Sequence, residues 1–274
     1  MISVKNVTAI CAHPWAYAAH QPGYDITPIL SDVFRDFKRA GLDGIELMHN
    51  VLLAENTVAY IEDLSRVNGL PVIGTSFGGQ MIDAAQHDAI MQQAETVLAA
   101  LQRLGGKTLG VSTGASPEGK KTDEQLDTQC RLLRRLIDMA KDHGVTLNLH
   151  NHTYEVLYGE HEVTESIKRL PDVKLGPDLN WLRRAGVNAH EFLRQHADRI
   201  AFMHLRDQKG DRWVEALGDG DEDYVALGRV LDEIDFKGPV AIELAHEGDT
   251  QFTRSMGENF RVSCSDLRKA WGTY

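Results

Sequence analysis

Along this chain, short apolar or alternating runs take turns with longer stretches whose apolar residues recur at every third and fourth position. The first kind predicts strands: VTAICAH (7–13), GIELM (44–48), PVIGTSF (71–77), KTLGVST (107–113), VTLNLHNH (145–152), VKLGPDLN (173–180), IAFMHLRD (200–207) and PVAIELAHE (239–247). The second kind predicts helices, among them ILSDVFRDFKRAG, TVAYIEDLSRVNG, DEQLDTQCRLLRRLIDMAKDHG and DYVALGRVLDEIDFKG. Each ends in the glycine that a helix C-terminus favours. Regular alternation of this sort implies a parallel sheet with helical crossovers, and eight units in 274 residues suit a closed (β/α)8 TIM barrel. An open doubly wound sheet is the alternative, disfavoured because HPWAYAAHQPGYD after the first strand lacks a G-x-G-x-x-G turn. Neither a linker nor a low-complexity stretch divides the chain, so residues 1–274 are expected to form one domain.

The alternation also assigns directions. Val145, Leu147 and Leu149 share one face of their run, while Asn148, His150 and His152 share the other. In a barrel the apolar set meets the helices and the polar set faces inward. The same division sets Val240, Ile242 and Leu244 against Ala241 and Glu243, Ile45 and Leu47 against Glu46, and Val173 and Leu175 against Lys174, Gly176 and Asp178. Inward carboxylates and imidazoles thus gather near strand C-terminal ends, the face on which barrel enzymes carry their sites.

Composition narrows the setting. A formal charge of −11 opposes binding to nucleic acid, which needs a basic surface. Arg131, Arg134 and Arg135 lie at helical spacing beside leucines and read as a solvated helix face. No apolar run approaches a membrane span, the mean hydropathy is −0.31, and the start MISVKNVTAICAH lacks the layout of a secretory signal. Three scattered cysteines, Cys11, Cys130 and Cys264, suggest a reducing cytoplasm and buried thiols. His143, His190 and His196 fall in helices or at their ends and are expected on the surface.

Taken alone, His13, Glu46 or His204 could each be a hydrogen-bonded structural residue. Together, His150, His152, Glu155, Asp178, His204 and Glu243 come from four consecutive strand ends, and burying them unpaired is expensive. A divalent cation compensates such a set, and mixed oxygen and imidazole donors suit Mn²⁺, Co²⁺, Zn²⁺ or Mg²⁺. The alternative is a polar network without metal.

In order, the segments HNHTYE, PDLNWLRRAG, FMHLRD, LGDGDEDY and FKGPVAIEL, with GLDGIEL near Glu46, resemble motifs of the xylose isomerase-like TIM-barrel superfamily of sugar phosphate isomerases and epimerases. The resemblance implies a divalent metal, Mn²⁺ foremost, held by Asp178, His204, Glu243 and an acidic residue after the fifth strand. Many members show E-N-H there, and this chain has His150 in the Glu position. It is similar instead to an H-N-H-x-x-E subgroup of inosose dehydratases and 3-keto-glycoside (including C-glycoside) lyases, which makes Glu155 the fourth ligand, with His150 the alternative. His150 and His152 are then left to move protons, and His13, Glu46, Trp181, Arg206 and Asp207 to bind substrate.

The implied reaction is proton removal beside the carbonyl of a keto-sugar or keto-cyclitol with β-elimination. A sugar isomerase or epimerase working through an enediolate is the alternative, and an abasic-site nuclease or a non-catalytic sugar-binding subunit the more distant one. The expected partner is a small carbohydrate, with no nucleic acid and no membrane; homo- or hetero-oligomers are left open. The loops HPWAYAAHQPGYD and STGASPEGKKTD are expected to shape specificity.

Overall fold

Strand β1 (Val7–Ala12) carries no charge and buries Ile10, Cys11 and Ala12 completely or nearly so, as a strand covered on both faces must. In the computed structural model, which describes residues 4–272, seven more parallel strands follow: β2 (Gly44–Met48), β3 (Val72–Gly78), β4 (Thr108–Ser112), β5 (Thr146–Leu149), β6 (Lys174–Leu175), β7 (Met203–Leu205) and β10 (Gly238–Ile242). Residues 1–3 and 273–274 lie outside the described part of the expected 1–274 domain. The strand order is β6-β5-β4-β3-β2-β1-β10-β7, and parallel bridges from Leu175 to Ile200 and from Asp178 to His204 join the two ends. The result is the expected (β/α)8 barrel. A two-stranded hairpin, β8 (Gln208–Lys209) with β9 (Arg212–Trp213), is inserted after β7.

Around the barrel run α1 (Trp15–Ala18), α2 (Leu30–Arg39), α3 (Glu55–Asn68), α4 (His87–Leu104), α5 (Asp123–Asp142), α6 (Thr153–Arg169), α7 (Leu179–Arg184), α8 (Ala189–Gln195), α9 (Tyr224–Glu233) and α10 (Met256–Trp271). Helix α5 shows how sequence sets a boundary. Thr122 accepts from the Gln125 amide and Gln125 returns a bond to the Thr122 amide, satisfying two donors that the helix start would otherwise leave open. Among the described residues no helix is long and apolar enough to cross a membrane.

Several expectations change in detail, among them the runs 200–207 and 239–247, which are strand only at Met203–Leu205 and Gly238–Ile242. The run 145–152 is strand only to Leu149, because His152 already caps α6, and the run 173–180 is strand only at Lys174–Leu175, because Asp178 caps α7. Both caps release the chain from the sheet where its polar residues must turn into the barrel mouth. His196, expected on the surface, is buried at the end of α8, its ring 4.6 Å from Phe192 and its Nε2 3.8 Å from Glu160. The three cysteines are buried, as their composition suggested.

Candidate active site

At the C-terminal end of the barrel, inward side chains from six strand ends meet. Glu46 on β2 is fully buried, and its Oε2 lies 2.5 Å from His204 Nε2 on β7. The other nitrogen of His204, Nδ1, lies 3.0 Å from His150 Nδ1 just past β5. Burial alone would lower the His204 pKa, but the Glu46 and Glu243 carboxylates outweigh it and push the value up to about 9. Burial, helped by the charge of His204, holds His150 well below the ordinary histidine range. Protonated on both nitrogens, His204 therefore donates to Glu46 through Nε2 and to a neutral His150 through Nδ1.

His152 belongs to a second chain of bonds. Its amide donates to Glu155 Oε2 at 2.6 Å, while its Nδ1 stands 3.1 Å from Ser112 Oγ and 3.2 Å from the Tyr154 hydroxyl. Ser112 Oγ in turn donates to Glu155 Oε1 at 2.7 Å. Burial would raise the Glu155 pKa, but these bonds from His152 and Ser112 lower it. Past this first turn α6 breaks at Leu157–Glu160, where Tyr158, Gly159 and Glu160 have φ of 58°, 67° and 59°. The break separates the His152 turn from Glu162, which pairs with Lys121 at 2.8 Å and accepts from Thr113 at 2.6 Å.

Arg206, beyond His204, is buried and spans two carboxylates: its Nε is 2.6 Å from Asp178 Oδ2 and its Nη2 2.9 Å from Glu243 Oε2. Glu243 Oε1 lies 3.3 Å from His13 Nδ1, and His13 Nε2 lies 3.1 Å from Ser76 Oγ. Burial would raise the Glu243 pKa, yet Arg206, His13 and His204 hold it well below the usual carboxylate range. A cavity of about 190 Å³ opens onto this centre, with His13, Ser76, Ser112, His150, His152, His204 and Glu243 in its wall. That is room for one small polar molecule, not an extended chain.

The sequence-expected residues divide accordingly. The structure brings His13, Glu46, His150, Asp178, His204, Arg206 and Glu243 into one bonded cluster, with His152 at its rim. Glu155, expected as fourth metal ligand, has turned to Ser112 and the His152 amide, and His150 takes its expected place beside His204. Asp207, expected at the substrate, instead accepts the backbone N–H groups of Gln208, Gly218, Gly220 and Glu222 and so shapes the loop before α9. Trp181 leans on the β9 residue Trp213, ring centroids 5.2 Å apart, and Arg184 lies 3.6 Å over Trp213.

Sequence reasoning passed over Ser76, Ser112 and Asn151. Ser112 continues the inward alternation of Thr108 and Gly110, a visible signal, whereas Asn151 exchanges bonds with the backbone of Asp178 at 3.2 and 3.3 Å, which only the fold reveals.

The donor types suit a divalent metal, but their arrangement does not fit one. Among the described residues no three His, Cys, Asp or Glu side chains converge as a ligand set. Asp178 Oδ1 is taken by the Asn180 and Trp181 amides, its Oδ2 and Glu243 Oε2 by Arg206, and Glu243 Oε1 by His13. The expected ligand set of Glu155, Asp178, His204 and Glu243 is therefore spent on internal partners, chiefly because a guanidinium stands between its two carboxylates.

A closed parallel barrel with a histidine- and carboxylate-lined mouth defines a class of barrels that carry their chemistry on the strand ends. Within it, the family model described as xylose isomerase-like TIM barrel matches residues 34–263, and the chain belongs to that family. An inosose dehydratase of Clostridium perfringens is 26% identical over 179 residues, 52% of this chain and 59% of that protein. An inosose dehydratase of Bacillus velezensis is 27% identical over 149 residues, 44% of this chain and 48% of that protein. The chain thus matches about half the length of these relatives. Among solved structures, a 3-keto-D-glucoside 4-epimerase of E. coli superposes with a TM-score of 0.75 at 20% identity, covering 95% of this chain and 98% of that one. A D-allulose 3-epimerase of Methylomonas sp. bound to D-allulose gives 0.76 at 17% identity over 98% and 99%. These structures share the fold.

Proposed function

We propose that this barrel is an enzyme acting on a small keto-sugar or keto-cyclitol, removing the proton beside its carbonyl and expelling the substituent on the next carbon. One observation carries the reading: two imidazoles at the cavity, His150 and His152, have ring centroids 5.0 Å apart and opposite hydrogen-bond wiring. Ser112 gives its hydrogen to Glu155, and in the tautomer that donates from His152 Nδ1 to Ser112 the His152 Nε2 keeps a free lone pair. His150 accepts at Nδ1 from His204, which leaves its Nε2–H as a donor.

In the proposed step His152 takes the C–H proton and the freed electron pair becomes the new C=C bond. The C–O bond at the next carbon breaks, its pair leaves with the oxygen, and that oxygen takes the His150 proton. His204 passes a proton to His150, and the proton that His152 took returns through solvent to the His150–His204 pair, restoring all three imidazoles. Base and acid side by side suit elimination, which needs both on adjacent carbons.

Epimerisation needs acid and base on opposite faces of the substrate. The carboxylate in the cavity wall, Glu243, is held ionised by Arg206 and His13 and is a weak base. The names of the C. perfringens and E. coli proteins support the substrate class and, for the former, the dehydration.

The test is incubation with inososes and 3-keto-glucosides in deuterated water. Release of water or aglycone is expected, falling by about 10²- to 10⁴-fold in His152→Ala. Deuterium incorporation with no group released would move the assignment to an isomerase or epimerase, and neither outcome would leave a sugar-binding protein.

A further inference from the structure

We propose that Arg206 is the resident cation of this centre, standing between Asp178 and Glu243 where the family resemblance expects a divalent metal. The inference deepens the proposed function, on which it rests for its chemical meaning, although metal binding can be measured without turnover.

Its basis is the way one side chain uses up the site. The guanidinium bonds Asp178 Oδ2 at 2.6 Å and Glu243 Oε2 at 2.9 Å, joining carboxylates that arrive from the end of β6 and the end of β10 on either side of β7. Of the remaining oxygens, Asp178 Oδ1 accepts from the Asn180 and Trp181 amides at 3.1 and 3.2 Å, and Glu243 Oε1 faces His13 Nδ1 at 3.3 Å, a nitrogen that the Trp15 amide also reaches at 3.2 Å. Arg206 is itself anchored at both backbone ends: its N–H donates to Asn180 Oδ1 at 3.3 Å and its C=O accepts the Tyr224 hydroxyl at 2.7 Å. Its guanidinium lies 5.5 Å from the centroids of both Trp181 and Trp213.

A cation so packed has no alternative partner to turn to. Seating a dication on the same carboxylates would break both ion pairs and leave a buried guanidinium beside it, the uncompensated arrangement that protein interiors avoid. Unlike a lysine, an arginine keeps its charge at any working pH and grips two carboxylates in a fixed fork. Among the described residues Nη1 is buried without a partner, the one guanidinium nitrogen that neither carboxylate takes. In this role Arg206 is a positioning residue for Asp178 and Glu243.

The full chain, purified from cells grown with added manganese, should contain substoichiometric metal by elemental analysis and show no saturable Mn²⁺ binding by electron paramagnetic resonance. Arg206→Met frees the two carboxylates and should bind Mn²⁺ about tenfold or more tightly than the wild type. Arg206→Lys keeps a positive charge and should remain metal-poor. Stoichiometric metal in the wild type that His204→Ala loses would overturn the assignment, as would a cooperatively folded Arg206→Met that gains no Mn²⁺ binding. If Arg206→Met does not fold, the wild-type metal content decides alone. Wild type free of metal yet inactive on every keto-carbohydrate would sink the proposed reaction and support the resident cation; stoichiometric metal together with turnover would do the reverse.

Discussion

Two histidines in contact carry opposite protonation at neutral pH. His204 has a folded pKa of about 9, above the ordinary histidine value of 6.5. Its contribution to stability is complete below pH 6.5 and is lost as pH rises through about 9. His150 has a folded pKa below 6.5, so its burial in neutral form loses stability as pH falls beneath that value. The melting temperature should therefore peak near pH 6.5, with an alkaline limb worth on the order of 3 kcal/mol from His204. Thermal melts across pH, with His204→Gln as comparison, test this. An alkaline limb that survives the substitution would refute it. At this scale much of the site is legible in sequence, since Glu46, His150, His204 and Glu243 are inward positions of alternating runs. The choice between His150 and Glu155 was not, because both lie near one strand end and only the path of the chain beyond Leu149 separates them.

Secondary-structure elements impose their own demands, and two positions near the site expose them. His152 and Glu155 stand three apart at the start of α6, with Glu155 bonding back to the His152 amide as the last residue of a capping box does. Glu155→Ala should destabilise the chain by about 0.5–2 kcal/mol, as loss of a cap does, and should also slow turnover because His152 loses the Ser112–Glu155 support of its Nδ1. Denaturant titration and rate measurement on the same sample separate the two effects; a stable but fully active variant would deny the proposed wiring. A histidine is not a usual cap residue, so the sequence pointed to a metal ligand at Glu155, and sequence alone does not say which way a carboxylate turns.

Just past β6 the constraint is space. A Cβ built on Gly176 would stand 1.9 Å from Asn148 Oδ1, a fully buried side chain on the neighbouring strand. Gly176→Ala should cost about 1–3 kcal/mol by overpacking the barrel interior. A shift of the urea midpoint is the measure, and an unchanged midpoint would mean that Asn148 can move aside.

At the scale of the whole molecule, closure is what makes the site. The barrel ends at β6 and β7 meet through few bridges, one of them between Asp178 and His204, so the last seam of the sheet runs through the catalytic centre proposed here. The other end of the molecule is tied by α10. The ring of Trp271 is completely buried, its Nε1 donates to Tyr224 O at 2.8 Å, and its carbonyl accepts the Val4 amide at 3.0 Å, so Trp271 joins Val4 to α9. Trp271→Ala should lower stability by about 3–5 kcal/mol. Calorimetry should show an earlier but still cooperative transition, with turnover intact at low temperature; lost turnover in folded protein would show that the Trp271–Tyr224–Arg206 chain of bonds carries the change into the site.

Sequence by itself determined the eight strands and their inward faces, because burial on a pleated strand repeats every two residues and crossover helices repeat at three and four. It also determined the family, through motifs kept in order along the chain. Tertiary structure alone decided which inward groups meet and which spend their charge on one another. Asp178, Arg206 and Glu243 lie on three different strand ends, and only closure of the barrel puts the guanidinium between the two carboxylates. Hydrogen bonds among side chains depend on ångström distances across the sheet, and no pattern along a single strand encodes them.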